Sequence, residues 1–252
     1  MQLLANPAGN YRFLTGIAPY SAGVVAAPGY EIVRAVLAHS VPWHAGFARI
    51  ERHLSGLGRP RAALCGVELR SPAPFSFAGF AAFNGEYQMR LAEWNLLLDG
   101  VNPIARTNVA PAVNLPAEPS LYAFSYTRSI DSPDASRTFI VAGAGDLRDQ
   151  ADLSPAAIVR PGATSAEAMA EKAAAVLAVM QARLFGLGMT WADVGGVGVY
   201  TVQPLHPLLE STIFSSLHEA TNCGIHWHYS RPPIAGLEFE MDLHGVRLTE
   251  RL

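Results

Sequence analysis

Two Gly-Leu-Gly triplets, Gly56–Gly58 and Gly186–Gly188, begin 130 residues apart in a chain of 252. Each closes a helix-like stretch, and each is followed within a few residues by a glycine-interrupted apolar run, ALCGVEL in the first case and VGGVGVYTV in the second. A glycine takes the left-handed conformation that ends a helix without a Cβ clash, so both triplets read as helix stops. Neither has the further glycines and lysine of a phosphate-cradling loop. A spacing of half the chain predicts one domain written twice.

The elements around the triplets support that reading. Tyr11–Gly16 and VVAA read as short strands. From Tyr30 the apolar positions Ile32, Val33, Val36 and Leu37 fit a helical period, which Pro42 interrupts, so the longer helix starts near Trp43. ALCGVEL is a strand, FAGFAAFNGEYQMRLAEW a helix, and ARTNVAPAV and LYAFSYT are closing strands. The second half repeats the order, with RTFIVAGAGDL matched to the Tyr11–Gly16 segment. Thr164 and Glu167 form a capping box for the helix through Phe185. VGGVGVYTV follows as a strand, LLESTIFSSLHEA as a helix, and GIHWHYS and LEFEMDLHGV as closing strands. The expected fold class is α+β: two tandem domains, residues 1–128 and 129–252, each a mixed sheet with two helices on one face, joined by the linker RSIDSPDAS. One larger α+β domain with a fortuitous triplet is the alternative. Apolar runs such as FIVA and GVGVY on the other sheet face call for a cover, so an assembly of chains whose sheets line a shared interior is expected.

Half of the residues are apolar, 15% are charged, and the net charge is −3. That balance gives no basic footprint for nucleic acid and suits a surface partly buried in an oligomer. The helical segment most rich in apolar residues holds Glu167, Glu171 and Lys172, too polar to span a bilayer. MQLLANPAGNYR has no basic region leading into an apolar stretch, so secretion is not expected and a cytoplasmic protein is. Cys65 and Cys223, the two cysteines, share no metal-ligand spacing.

FLTG at 13–16, the helix leading to SGLG, FNGEY at 83–87 and IARTNV at 104–109 together resemble the RidA/YjgF family of imine and enamine deaminases. FIVAGAG, the second GLG stop and LEFEMDL extend the resemblance over the second half. It implies two chorismate-mutase-like domains of the RidA type, assembled as a trimer of two-domain chains with six domains. It also implies a cleft in which Asn84 and Arg106 bind a carboxylate and Glu238 handles protons. Tyr122 falls where the family has glutamate, Cys223 or Gly224 where it has arginine, and the family's amino-terminal tyrosine has no clear counterpart. One copy has kept the arginine and the other the carboxylate.

The residue chemistry fits that implication. A guanidinium offers a planar fork of donors to a carboxylate. Glu238, Glu240 and Asp242 alternate, so all three share one strand face, as do His226 and His228 opposite Trp227. The histidine pair suits acid/base or hydrogen-bonding roles near the cleft, since a metal site needs a third ligand. Cys223 has no specified base partner. Hydrolysis of a carbon–nitrogen double bond needs no metal or organic cofactor, because a protonated imine is already electrophilic.

The resemblance implies a small carboxylate-bearing imine or enamine as substrate. 2-Aminomuconate or a ring-substituted analogue is expected, in aromatic-compound catabolism. General 2-imino acids, or a non-catalytic binding role, are the alternatives. A dicarboxylate calls for a second cation beside Arg106, with Arg128, Arg160 and Arg231 as candidates.

Overall fold

Three short strands open the chain in the computed structural model, which describes residues 1–131 and 137–252. β1 (Leu3–Asn6), β2 (Tyr11–Leu14) and β3 (Gly23–Ala26) pair as an antiparallel meander. Residues 30–42 correct the helical expectation, for they form β4 (Tyr30–Pro42), the longest strand of the chain. Ile32, Val33 and Ala35 are fully buried, so both faces of this strand are covered. A strand covered on both faces has neighbouring apolar residues rather than alternation, and such a run also satisfies a helical template.

Helix α1 (Trp43–Gly56) then begins directly after Pro42, and Gly58 takes a left-handed φ of 65° just beyond its end. β5 (Leu64–Arg70), α2 (Phe77–Glu93), β6 (Ala105–Pro111) and β7 (Ser120–Ser129) complete the first half. The second half carries β8 (Phe139–Gly145), α3 (Ala166–Gly186), β9 (Gly196–Tyr200), β10 (His226–His228), β11 (Ser230–Arg231), β12 (Glu240–His244) and β13 (Leu248–Arg251). Of the expected linker 128–136, Arg128 and Ser129 belong to β7, and residues 132–136 lie outside the described residues.

Two departures concern helices. Ser165, not Thr164, caps α3, accepting from the Ala168 amide. Residues 206–223 are a series of short helical turns of mixed pitch rather than one helix. Pro207 enters the first turn, and the hydroxyls of Ser215 and Ser216 bond back to the carbonyls of Ser211 and Thr212, a habit that loosens regular α-helix. His218 breaks the run with a positive φ.

The strands assemble into two mixed sheets, ordered β11-β6-β5-β7-β4-β13 and β1-β2-β3-β8-β12-β9-β10. Within them, β4-β7-β5-β6 and β8-β12-β9-β10 follow one pattern: the fourth strand in sequence lies between the first and second, and the third pairs parallel to the second. β8 therefore matches β4, not the Tyr11–Gly16 segment. The chain ends cross over: β1–β3 extend the second sheet beyond β8, and β13 extends the first beyond β4. β10 and β12, expected as a pair, both lie against β9 instead.

Helices α1 and α2 cover the outer face of the first sheet around Phe47, Ile50, Tyr87 and Phe124. α3 covers the second around Val176, Met180, Val199 and Met241. The inner faces meet each other through Phe13, Val24, Ile32, Cys65, Ala105 and Ala142, so the two sheets bury their apolar interiors within one chain. No helix among the described residues is long and apolar enough to cross a membrane.

Candidate active site

β6 passes close to β8 where the sheets meet, and a small cavity opens there. Arg106 projects from β6 toward α2, whose buried residues Phe80, Phe83, Asn84, Tyr87 and Leu91 recur at helical spacing. Its Nη2 donates to Asn84 Oδ1 at 2.6 Å. The rings of Tyr20 and Tyr87 lie 4.8 Å from the guanidinium carbon, with Phe80 and Phe83 slightly farther. Arg106 is 3% exposed, and its Nη1 has no hydrogen-bond partner among the described residues. Burial draws its pKa down, with Tyr87, Tyr20 and Glu240 pulling it back, and an arginine so placed stays a cation.

Tyr20 is an aromatic residue of the site that the sequence does not single out. The turn Ile17–Tyr20 is fastened to the start of β6: Asn102 Nδ2 donates to the Pro19 carbonyl at 2.7 Å and the Ser21 amide to the Ile104 carbonyl at 3.0 Å. That attachment sets Tyr20 against Arg106. The local signal, APYSAG, reads only as turn material, because the partner that gives it meaning lies more than 80 residues away.

From the other sheet comes Glu240, on β12 opposite Gly145 and Tyr200. It is 3% exposed and lines the Arg106 cavity. Burial raises its pKa well above the carboxylate range, the nearby Asp242 adds to the rise, and Arg183 and Arg106 oppose it more weakly. Gly143 on β8 makes room for it, since a Cβ there would collide with Glu240 Oε1 and press on Thr107. Glu238 lies before β12 begins. Its carboxylate accepts from Gln203 Nε2 at 2.9 Å, and it does not line the cavity.

The remaining expected residues gather elsewhere. Tyr122, His226 and His228 line a second cavity with Arg34, Glu68, Tyr200, Asp242 and His244. His228 stacks on Tyr200 with ring centroids 4.7 Å apart, and burial lowers its pKa to about 4, so it is neutral at neutral pH. Asp242 bridges the two regions, accepting from Thr107 Oγ1 at 2.8 Å and Tyr200 Oη at 3.0 Å. Burial and then the charge of Glu68 lift its pKa to about 6. Arg106 and Asn84 thus meet as expected, but Glu240 joins them, and Glu238, the two histidines and Tyr122 do not.

The second cation also differs from the candidates. Arg128 pairs with Glu31, Arg160 with Glu171, and Arg231 is exposed on β11. The buried cation near the cavity is Arg183 of α3, whose Nη1 donates to the carbonyls of Ala142 and Gly143. Burial raises the pKa of the exposed-surface thiol of Cys223, whose Sγ donates to the Ala220 carbonyl, so nothing activates it as a nucleophile. No group of three or more metal-ligating side chains among the described residues could hold a metal ion.

A family described as "2-aminomuconate deaminase CnbZ" matches residues 3–250. A 2-amino-5-chloromuconate deaminase of Comamonas testosteroni is 41% identical over 238 residues, 94% of each chain. A solved chorismatase structure overlays with a TM-score of 0.43 at 10% identity, covering 97% of this chain and 89% of that one.

Proposed function

Because the chain belongs to the 2-aminomuconate deaminase family, within the RidA/YjgF superfamily, we propose that the cavity between its sheets hydrolyses a 2-aminomuconate-type enamine or imine to the 2-oxo acid and ammonia. The observation that carries this reading is the buried Arg106 guanidinium, whose Nη1 is unpartnered in a cavity that also holds the Glu240 carboxyl. A carboxylate next to the reacting carbon completes the guanidinium's hydrogen bonding, and a buried charge-assisted pair both binds and orients.

The enamine first tautomerises to the imine: its nitrogen loses a proton, the carbon–carbon double bond shifts to carbon–nitrogen, and the far carbon of the former double bond gains a proton. Water then adds across the carbon–nitrogen double bond, oxygen to carbon and a proton to nitrogen. The carbinolamine transfers its hydroxyl proton to nitrogen, the carbon–nitrogen bond breaks, and a carbonyl compound and ammonia leave. Glu240, held protonated where an exposed glutamate is ionised, is the group assigned to give a proton to nitrogen and recover one from the adding water. Asn84 fixes the guanidinium, and the Tyr20 hydroxyl is assigned to hold the water. Glu238, His226, His228 and Tyr122 have no route to the same reacting atoms in this reading.

The tandem organisation belongs to the same proposal. It is supported by the strand order shared between the sheets, one of which carries Arg106 on β6 and the other Glu240 on β12. The proposed trimer of chains is supported by Val113, Leu115, Trp227 and Tyr229. These apolar side chains are exposed on neighbouring segments, tied where the Ala112 amide donates to the Tyr229 carbonyl. Light scattering checks it: a monomer contradicts the trimer.

Purified protein supplied with 2-aminomuconate should release ammonia, and Arg106→Ala should lower kcat/KM by at least about a hundredfold with the fold intact. No ammonia from any aminomuconate, or full activity in Arg106→Ala, would overturn the reading.

A further inference from the structure

Arg106 and Asn108 stand two residues apart on β6, so both side chains leave the same face of the strand, and both line the same cavity. Asn108 is 4% exposed. Its Oδ1 accepts from Ser71 Oγ at 2.9 Å, and its Nδ2 has no hydrogen-bond partner among the described residues. Ser71 is itself fully buried and anchored by its amide to the Val109 carbonyl at 2.9 Å, so it holds the amide with the NH₂ group unused. A buried donor without an acceptor is costly and rare in folded proteins, which points to a ligand that supplies one.

One strand therefore brings two residues with unpartnered buried donors, the Arg106 Nη1 and the Asn108 Nδ2, to the lining of one cavity, their Cα atoms separated by two residues of strand rise, ~7 Å. A chain with a carboxylate at each end would offer an acceptor to each donor. Leu147, Ile234 and Leu237 give the cavity an apolar wall suited to a flat hydrocarbon. Arg128 and Arg160 are paired, Arg231 is exposed on β11, and Arg183 is spent on the Ala142 and Gly143 carbonyls and does not line the cavity, so the far end of such a chain meets a neutral amide rather than a second guanidinium.

We propose that Asn108 is a specificity-determining residue, donating through Nδ2 to the distal carboxylate of a six-carbon unsaturated diacid whose proximal carboxylate is held by Arg106. The inference rests on the function proposed above and adds the residue that separates dicarboxylates from monocarboxylates. A neutral donor suits this place: it strengthens on meeting a carboxylate without bringing a second buried charge to desolvate when the site is empty.

Muconate and sorbate are six-carbon dienes with two carboxylates and one, and their binding to the full chain can be compared by calorimetry without turnover. The wild type should bind muconate at least about tenfold more tightly, the usual scale of one hydrogen bond to a charged group. Asn108→Ala should remove that preference, and Asn108→Asp should reverse it by setting a like charge against the distal carboxylate, with sorbate affinity within about threefold of wild type in both. The inference is overturned if the wild type shows no preference, if the preference survives in Asn108→Ala, or if both ligands weaken together as a purely structural role requires. Ammonia release from 2-aminomuconate by the wild type separates this failure from failure of the proposed function: a protein active on that substrate with an unchanged preference loses only the role of Asn108.

Discussion

Arg106 gives its Nη2 to Asn84 Oδ1 at 2.6 Å while its buried Nη1 has no partner among the described residues. The two nitrogens divide the work: one is spent on orientation, the other left for a carboxylate. Asn84→Asp would put a permanent anion against the guanidinium and satisfy it in the substrate's place. We expect KM for 2-aminomuconate to rise at least about tenfold, with circular dichroism unchanged, whereas an unchanged KM would show that the pair does not set carboxylate binding.

Gly143 is open space that Glu240 uses. Gly143→Ala brings a Cβ onto Glu240 Oε1 and within 3.1 Å of Thr107 Cγ2, so the carboxyl must leave its position. Ammonia release should fall by about a hundredfold or more, the scale of a lost general acid, while the melting temperature moves by only a few degrees. Retained activity would show that Glu240 is not held where the chemistry needs it.

The pH dependence has a defined sign. Asp242 and Glu240 both have folded-state pKa values raised by burial, Asp242 to about 6, so the folded protein holds those protons more tightly than the unfolded chain does. Their contribution to stability is therefore greatest below the ordinary carboxylate pKa of about 4; for Asp242 it is lost as pH rises through about 6, and for Glu240 as pH rises above the ordinary carboxylate range. Activity that requires protonated Glu240 declines on the alkaline side. Asp242→Asn removes a like charge that supports that proton, so the alkaline limb of kcat should move to lower pH; a limb that stays in place would remove Asp242 from the account.

Behind the site, Asp146 ties three segments together. Its Oδ2 accepts from Lys172 Nζ at 2.7 Å, and its Oδ1 accepts from the amides of Glu238 and Phe239, which set the entry into β12. Both partners are fully buried. Lys172→Met leaves the carboxylate unpaired in the interior and should cost about 3–5 kcal/mol in denaturant unfolding, the range for one lost partner of a buried pair. A loss below about 1 kcal/mol would show that the lysine is dispensable there.

What the sequence made legible was local or periodic. The helix stops at Gly56–Gly58 and Gly186–Gly188 and the helix from Trp43 follow from spacing within one element, whereas Asn84 and Arg106 are legible only through the family resemblance. β4 was misread because an apolar run covered on both faces carries no alternation to betray it. The match of RTFIVAGAGDL to the first short strands failed for a related reason: β1–β3 pair with β8 across the molecule, and nothing in residues 1–26 encodes which sheet they join.

Within the site, alternation placed Glu238, Glu240 and Asp242 on one face but could not say where β12 begins, and a displacement of two residues keeps the face while exchanging the carboxylate. The hydrogen bond from Gln203 to Glu238 and the bonds from Thr107 and Tyr200 to Asp242 depend on contacts between distant segments. Tyr20 was hidden for the same reason, its role arising from the fastening of its turn to Asn102 and Ile104.

The central claim is that one site forms between the sheets, with Arg106 from one and Glu240 from the other. Ammonia release from 2-aminomuconate by Glu240→Gln and Glu238→Gln, assayed side by side, tests it most directly. Glu240→Gln should lose at least about a hundredfold in kcat and Glu238→Gln should stay within about threefold of wild type; loss in Glu238→Gln with activity kept in Glu240→Gln would contradict the account.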